Sequence, residues 1–263
     1  MSDRAIARAF AATRARGRAA LIPYVTAGFP SPATCLELLE RLPPAGADLI
    51  EVGIPFSDPL ADGPTIQRST QRALEQGMTV GRALELIRTA ALAAPVVVMT
   101  YLNPILAYGV DRFLVDAAQA GVAGLLCTDL PAGADPELEQ AIAASALDHI
   151  RLVAPTTPDD RLGTTLSGAT GFVYLISRLG VTGARIDIPP DLERHVRRLR
   201  AVTSLPVAVG FGISTPTQVA VAGRWADGVV VGSAVIDAVA AGGIEAAEQL
   251  VRAMAAECVP GAA

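Results

Sequence analysis

One pattern recurs from Ala20 to the end of the chain and limits its fold more than any other feature. A short run rich in Val, Ile and Leu closes on Gly, Pro, Asp or Thr, and an amphipathic stretch of helical period follows. Candidate strands begin at Leu21 (LIPYVT), Leu49 (LIEV), Val96 (VVVMTY), Ala123 (AGLLCT), Ile150 (IRLVA), Phe172 (FVYLIS), Val207 (VAVGF) and Gly228 (GVVVG). Candidate helices lie near 32–42, 64–76, 80–93, 110–120, 135–146, 158–168, 190–202, 215–222 and 244–257. Strands that alternate with helices pair in parallel through right-handed crossovers. Eight such units in 263 residues predict an α/β fold closed into a (β/α)8 TIM barrel rather than an open sheet. No Pro/Gly/Ser linker or charge run divides the chain, so a single domain over 1–263 is expected. Ahead of the first strand, the stretch from Met1 to Arg18 is Arg-rich and nearly free of acids, a superficial likeness to a transit peptide. Ser is scarce there, and Ile6, Ala9, Phe10 and Thr13 share one helical face, which predicts an extra N-terminal helix packed on the domain.

A barrel of this kind draws its active groups from the C-terminal ends of its strands and the loops after them. The segment Leu49 to Gln67, LIEVGIPFSDPLADGPTIQ, then stands out. Glu51 lies inside an apolar strand, where burial raises a carboxyl pKa toward neutrality and suits it to give and take a proton. Asp62, in the Gly- and Pro-rich loop beyond, is expected in a wetter place, ionised. Two carboxylates in unlike surroundings divide acid–base work between them. A buried Glu can equally belong to a structural ion-pair network, and this segment alone leaves both readings open. Tyr24, Met99, Tyr101 and Leu126, at the ends of the first, third and fourth strands, and Tyr174 in the sixth can face the same mouth.

The last three loops suit a phosphate group. They read Ser177-Arg178-Leu179-Gly180-Val181-Thr182-Gly183, Gly210-Phe211-Gly212-Ile213-Ser214 and Gly232-Ser233-Ala234, the last running straight into a helical stretch. Glycine lets backbone approach a ligand, and helix-opening N–H groups attract anions. The alternative is that these glycines only make tight turns. The sixth loop has the length and small residues of a lid, which would bring Thr182 to the Asp62 side; Arg178 reads as a solvated charge.

Composition removes several chemistries. All 21 basic residues are Arg, so no Schiff base and no P-loop lysine is available, and carbon–carbon cleavage would have to proceed by acid–base catalysis. Cys35, Cys127 and Cys258 have no metal-ligand spacing and read as reduced thiols of a cytoplasmic protein; His149 and His195 are isolated, so no metal site is expected. The longest apolar run, Ala90 to Leu102, is too short to span a bilayer, and a net charge of −5 without a basic stripe argues against nucleic acid.

Several motifs, in order along nearly the whole chain, resemble one family. They are Ile22-Pro23-Tyr24-Val25-Thr26-Ala27-Gly28, Glu51-Val52-Gly53-Ile54-Pro55-Phe56-Ser57-Asp58-Pro59 through Asp62-Gly63-Pro64, Asn103-Pro104, Asp129-Leu130-Pro131, Gly180-Val181-Thr182-Gly183, Gly210-Phe211-Gly212-Ile213 and Gly232-Ser233-Ala234. They are similar to those of the tryptophan synthase alpha subunit family. The resemblance implies a lyase that cleaves indole-3-glycerol phosphate to indole and glyceraldehyde 3-phosphate, with Glu51 and Asp62 as the catalytic carboxylates. It implies an indole pocket of Tyr24, Met99, Leu126, Tyr174, Thr182 and Val230, and a phosphate site of Gly183, Phe211, Gly212, Gly232 and Ser233. It further implies an alpha2-beta2 assembly with a beta subunit that holds pyridoxal phosphate, no cofactor in this chain, and partner contact through Pro55, Phe56 and Asp58. The rival readings are a stand-alone lyase that releases indole, another phosphate-binding barrel such as a sugar-phosphate isomerase, and a non-catalytic barrel that activates a beta partner. Thr26 and Ala154-Pro155-Thr156, where an isomerase usually carries acids at the ends of the first and fifth strands, speak against the second.

Overall fold

The computed structural model describes residues 4–176, 190–210 and 212–258. Eight parallel strands close into a barrel in chain order: β1 (Ala20–Thr26), β2 (Ile50–Gly53), β3 (Val96–Thr100), β4 (Val122–Cys127), β5 (Asp148–Val153), β6 (Val173–Ile176), β7 (Val207–Gly210) and β8 (Gly228–Val231). The ring shuts where Ala20 pairs Gly228 and Pro23 pairs Val231. Every residue of β1, β2, β7 and β8 is buried, because helices cover the outer face and side chains fill the inner one. Hence the strands read as continuous apolar runs rather than alternating ones.

The helices are α1 (Ala5–Ala15), α2 (Pro32–Ala45), α3 (Pro64–Glu75), α4 (Val80–Ala90), α5 (Leu102–Tyr108), α6 (Val110–Gln119), α7 (Pro136–Ala144), α8 (Asp159–Thr165), α9 (Leu192–Arg200), α10 (Pro216–Gly223) and α11 (Ser233–Glu257). Proline opens α2, α3, α7 and α10, where its missing N–H has no helical partner to lose. Ser31, Asp135 and Thr215 precede three of these prolines, and each side chain accepts a backbone N–H from the first turn.

Three departures from the sequence expectation have local causes. The short helix α5 starts right at the end of β3, and its seven residues carry too few periods to announce themselves. Its first N–H, that of Leu102, donates to the Asp129 carboxylate at 2.7 Å, a cap supplied from the fourth loop. The helix that begins at Ser233 is broken by Gly242 and Gly243, the latter at φ 72°, so the expected 244–257 segment is its second half. Five of the eight strand starts shift by one or two residues, and those at Val96, Val207 and Gly228 do not move.

Two apolar layers hold the barrel. The larger lies between strands and outer helices; the smaller fills the barrel itself with Ile22, Leu49, Val97, Leu126, Ile150 and Tyr174 among others. The N-terminal stretch is helical, as its apolar face requires. Ile6 and Phe10 of α1 are buried in the inner layer, and the Phe10 ring lies 5.6 Å from that of Phe172. Helix α1 therefore caps the N-terminal end of the barrel and leaves the C-terminal end as the place for a site.

Candidate active site

Glu51 comes from the middle of β2, paired with Tyr24 on one side and Val97 on the other. The strand pleat turns it into the barrel, where it is 2 % exposed. Burial, and then the charge of Asp62, push its carboxyl up to about 8. Its Oε1 is buried without a hydrogen-bond partner among the described residues. Such an atom costs stability unless something else completes it.

Asp62 differs from the sequence expectation. It is 7 % exposed, and burial raises its carboxyl to about 6 against the opposing pull of a hydrogen bond with Tyr101. A loop residue is solvated only if nothing folds over it, and here the loop lies down against the end of β3. The Ala61 N–H donates to the Tyr101 hydroxyl at 3.0 Å, and the Gln67 side-chain amide donates to the Asp62 carbonyl at 2.8 Å. The order of the two acids survives: Glu51 titrates above Asp62, so near pH 7 the first is largely protonated and the second largely charged. No ion pair involves either carboxylate among the described residues, so each faces the other without a cation to neutralise it.

Two tyrosines frame this pair. Tyr24 of β1 lies across the end of β2, and a Cβ on Gly53 would meet its hydroxyl oxygen at 2.0 Å. Tyr174 of β6 lies across β7 in the same manner, with its hydroxyl oxygen 2.1 Å from where a Cβ of Gly210 would stand. Only glycine leaves room for either ring. Both rings are buried and both feel the charge of Glu51. Leu126, Tyr174 and Val230 belong to the inner layer; Met99, half-buried, packs against it and against the smaller cluster of Tyr24, Ile66 and Ile236. Of the residues predicted for that pocket, Tyr24 and Tyr174 thus lie within reach of Glu51, Leu126 and Val230 share the inner layer with Tyr174, and Met99 joins it to the Tyr24 cluster with Ile66 and Ile236, whose helical positions gave no sign of it. Thr182 lies outside the described residues.

At the end of β8, Gly232 is the residue before α11, and a Cβ there would lie 3.6 Å from that of Tyr24. The opening N–H groups of α11, beginning with Ser233, therefore stand next to the tyrosine that borders Glu51. Ser233 and Gly212 are exposed, and Gly212 holds a positive φ of 90°. Gly183 and Phe211 lie outside the described residues. No group of three or more metal-ligating side chains occurs among the described residues, and no helix there is long and apolar enough to cross a membrane.

The loop from Pro55 to Leu60 joins the two carboxylates in sequence and forms the outer rim. Pro55 is buried, the Phe56 ring lies 5.4 Å from that of Tyr101, Asp58 is exposed, and Leu60 is 91 % exposed. Open depressions of about 740 Å3 and about 470 Å3 flank this loop, the first against α3 and the second toward α4 and α5.

Known proteins share this arrangement. Residues 10–260 match the family model described as tryptophan synthase alpha chain. The chain is 53 % identical over 234 residues to the tryptophan synthase alpha chain of Gluconacetobacter diazotrophicus, covering 88 % of this chain and 85 % of that one. It is 50 % identical over 234 residues to that of Granulibacter bethesdensis, covering 88 % and 84 %. The fold superposes on a solved structure of Mycobacterium tuberculosis tryptophan synthase with a TM-score of 0.92 and 39 % identity, covering 99 % of this chain and 100 % of that one. Likeness of sequence and of fold over nearly the full length converge, and the chain belongs to the tryptophan synthase alpha chain family.

Proposed function

We infer that the chain is a carbon–carbon lyase of tryptophan biosynthesis, which cleaves indole-3-glycerol phosphate into indole and glyceraldehyde 3-phosphate. The observation that carries this reading at the level of residues is the pair itself. A buried Glu51 with a raised pKa and an unpartnered oxygen meets a second acid that stays charged at lower pH.

The two roles follow from protonation. Protonated Glu51 gives its proton to indole C3, which breaks the aromaticity of the ring and leaves a cation delocalised onto N1. Charged Asp62 offsets that developing charge. The Glu51 carboxylate then takes the proton from the glycerol hydroxyl next to the breaking bond. As a C=O forms there, the C–C electrons return to the ring and indole leaves with the added hydrogen at C3. Glu51 ends as it began, protonated, and no net proton is consumed. The opening of α11 with Gly212, Gly232 and Ser233 holds the phosphate, and Tyr24, Met99, Leu126, Tyr174 and Val230 enclose the indole. Thr182, Gly183 and Phe211 complete these two subsites.

The chain needs no cofactor for this reaction; pyridoxal phosphate belongs to the beta subunit with which it pairs. Pro55, Phe56 and Asp58 form part of that contact in an alpha2-beta2 assembly. The chain acts as one domain, in the cytoplasm.

The direct test is to incubate the protein with indole-3-glycerol phosphate, with and without a beta subunit, and assay indole. Cleavage that a beta subunit strongly accelerates is the expected result. Vigorous cleavage that a beta subunit leaves unchanged would instead favour a stand-alone lyase, and no cleavage in either arm would overturn the reading.

A further inference from the structure

We propose that Tyr101 is the positioning residue of this site: its hydroxyl ties the Ala61–Asp62 turn to the end of β3 and thereby fixes the Asp62 carboxylate at the mouth. Tyr101 follows β3 directly and is 5 % exposed. A phenol hydroxyl has one proton to give and can accept others. Here it accepts the Ala61 N–H at 3.0 Å, which leaves its own proton free to turn toward the Asp62 carboxylate of the same turn, whose pKa it lowers. The ring is braced by Phe56, whose centroid lies 5.4 Å away. One side chain thus touches the rim loop at its beginning, through Phe56, and at its end, through Ala61 and Asp62.

The ionisable groups that face Asp62 among the described residues are Glu51 from β2, Tyr24 from β1 and Tyr101 from β3. Burial and a neighbouring carboxylate both favour the neutral acid. Tyr101 is the group among these that favours the charged one, because a hydrogen bond to a carboxylate stabilises the anion. Removal of the hydroxyl therefore acts on charge and placement together. Asp62 should protonate at higher pH, and the loop should lose its tie to β3.

The proposal rests on the assignment of Asp62 as the group that offsets the indole cation, so its test includes a readout independent of turnover. Y101F keeps the ring and its packing on Phe56 and deletes only the hydroxyl. Titration of the Asp62 carboxyl carbon by 13C NMR in the full-length protein should show its pKa rise by about one unit, a tenfold change in its ionisation equilibrium. In indole-3-glycerol phosphate cleavage, kcat should fall about twofold at pH 7 and about tenfold well below pH 6, as the acid limb of its pH profile moves up by about one unit, while KM and Tm stay near wild type. In a D62N background, Y101F should cost little further activity. An unchanged Asp62 titration in Y101F would overturn the proposal, as would a wild-type acid limb. A shifted titration in a protein whose wild type does not cleave the substrate would leave the Tyr101 tie standing and sink the functional reading.

Discussion

The two ends of the barrel treat the same side chains in opposite ways. At the N-terminal end every buried or half-buried Asp has an arginine. Asp48, just before β2, takes two bonds of 2.7 Å from the Arg18 guanidinium and a third of 2.9 Å from the Leu21 N–H. Asp148, at the start of β5, receives Arg4 at 3.1 Å, and Asp227, just before β8, receives Arg14 and Arg200 at 3.5 and 3.3 Å and caps the Val207 N–H. At the C-terminal end Glu51 and Asp62 are as deeply buried, yet no cation pairs with either among the described residues. They face each other, and burial raises both carboxyls. A carboxylate held by an arginine has its charge offset and serves the fold. A carboxylate denied one can change its charge near pH 7 and serve chemistry.

The sharpest way to break this contrast is to neutralise one acid at each end. Glu51→Gln should lower the rate of indole formation by about 10²–10⁴-fold, the range general acid–base catalysis supplies. Asp48→Asn should leave kcat within about twofold of wild type, a margin that single-site changes remote from the chemistry ordinarily respect. Steady-state assays of both variants decide it, and comparable losses at the two ends would abolish the distinction.

The next effect is on pH dependence. Cleavage needs Asp62 charged and Glu51 protonated, so kcat/KM should be bell-shaped, with limbs near 6 and 8. Beyond each limb the rate should fall about tenfold per pH unit. A flat profile between pH 5 and 9 would show that the mouth does not hold two acids in different protonation states.

Stability should separate the ends in the reverse sense. Asp48→Asn strands the largely buried Arg18, at a cost of about 2 kcal/mol. In a chain of this size that lowers Tm by about 4–8 °C, measurable by thermal unfolding. Glu51→Gln should do the opposite, by an amount that grows with pH. The native Glu51 carboxyl titrates near 8, whereas an unfolded Glu titrates near about 4.3. The native state therefore holds the extra proton across that window, and wild-type stability drains away as pH rises through it, reaching its floor above about 8. Glutamine carries no such dependence. The Tm of Glu51→Gln relative to wild type should thus be higher at pH 8 than at pH 5. An equal difference at the two pH values would mean that Glu51 is not neutral in the native protein.

The sequence alone determined the features that depend on local order. Eight apolar runs alternating with helical ones specify a parallel barrel, since strands buried on both faces must be apolar throughout and parallel neighbours need a helical return. An acid within one of those runs, Glu51, was legible as buried because its strand neighbours leave it no route to water. The prolines at 32 and 64 stood at helix starts, since only in a first turn does the missing N–H cost no helical bond. What the sequence left open depends on residues far apart in the chain. Whether Asp62 is wet or dry is decided by Tyr101, 39 positions on, which bonds the neighbouring N–H and covers the turn. Whether Tyr24 and Tyr174 fit beside the pair is decided by Gly53 and Gly210 on the strands next to theirs. Period and composition report what one segment does to itself; burial in a closed barrel is set by which strands the ring brings together, and only tertiary structure contains that.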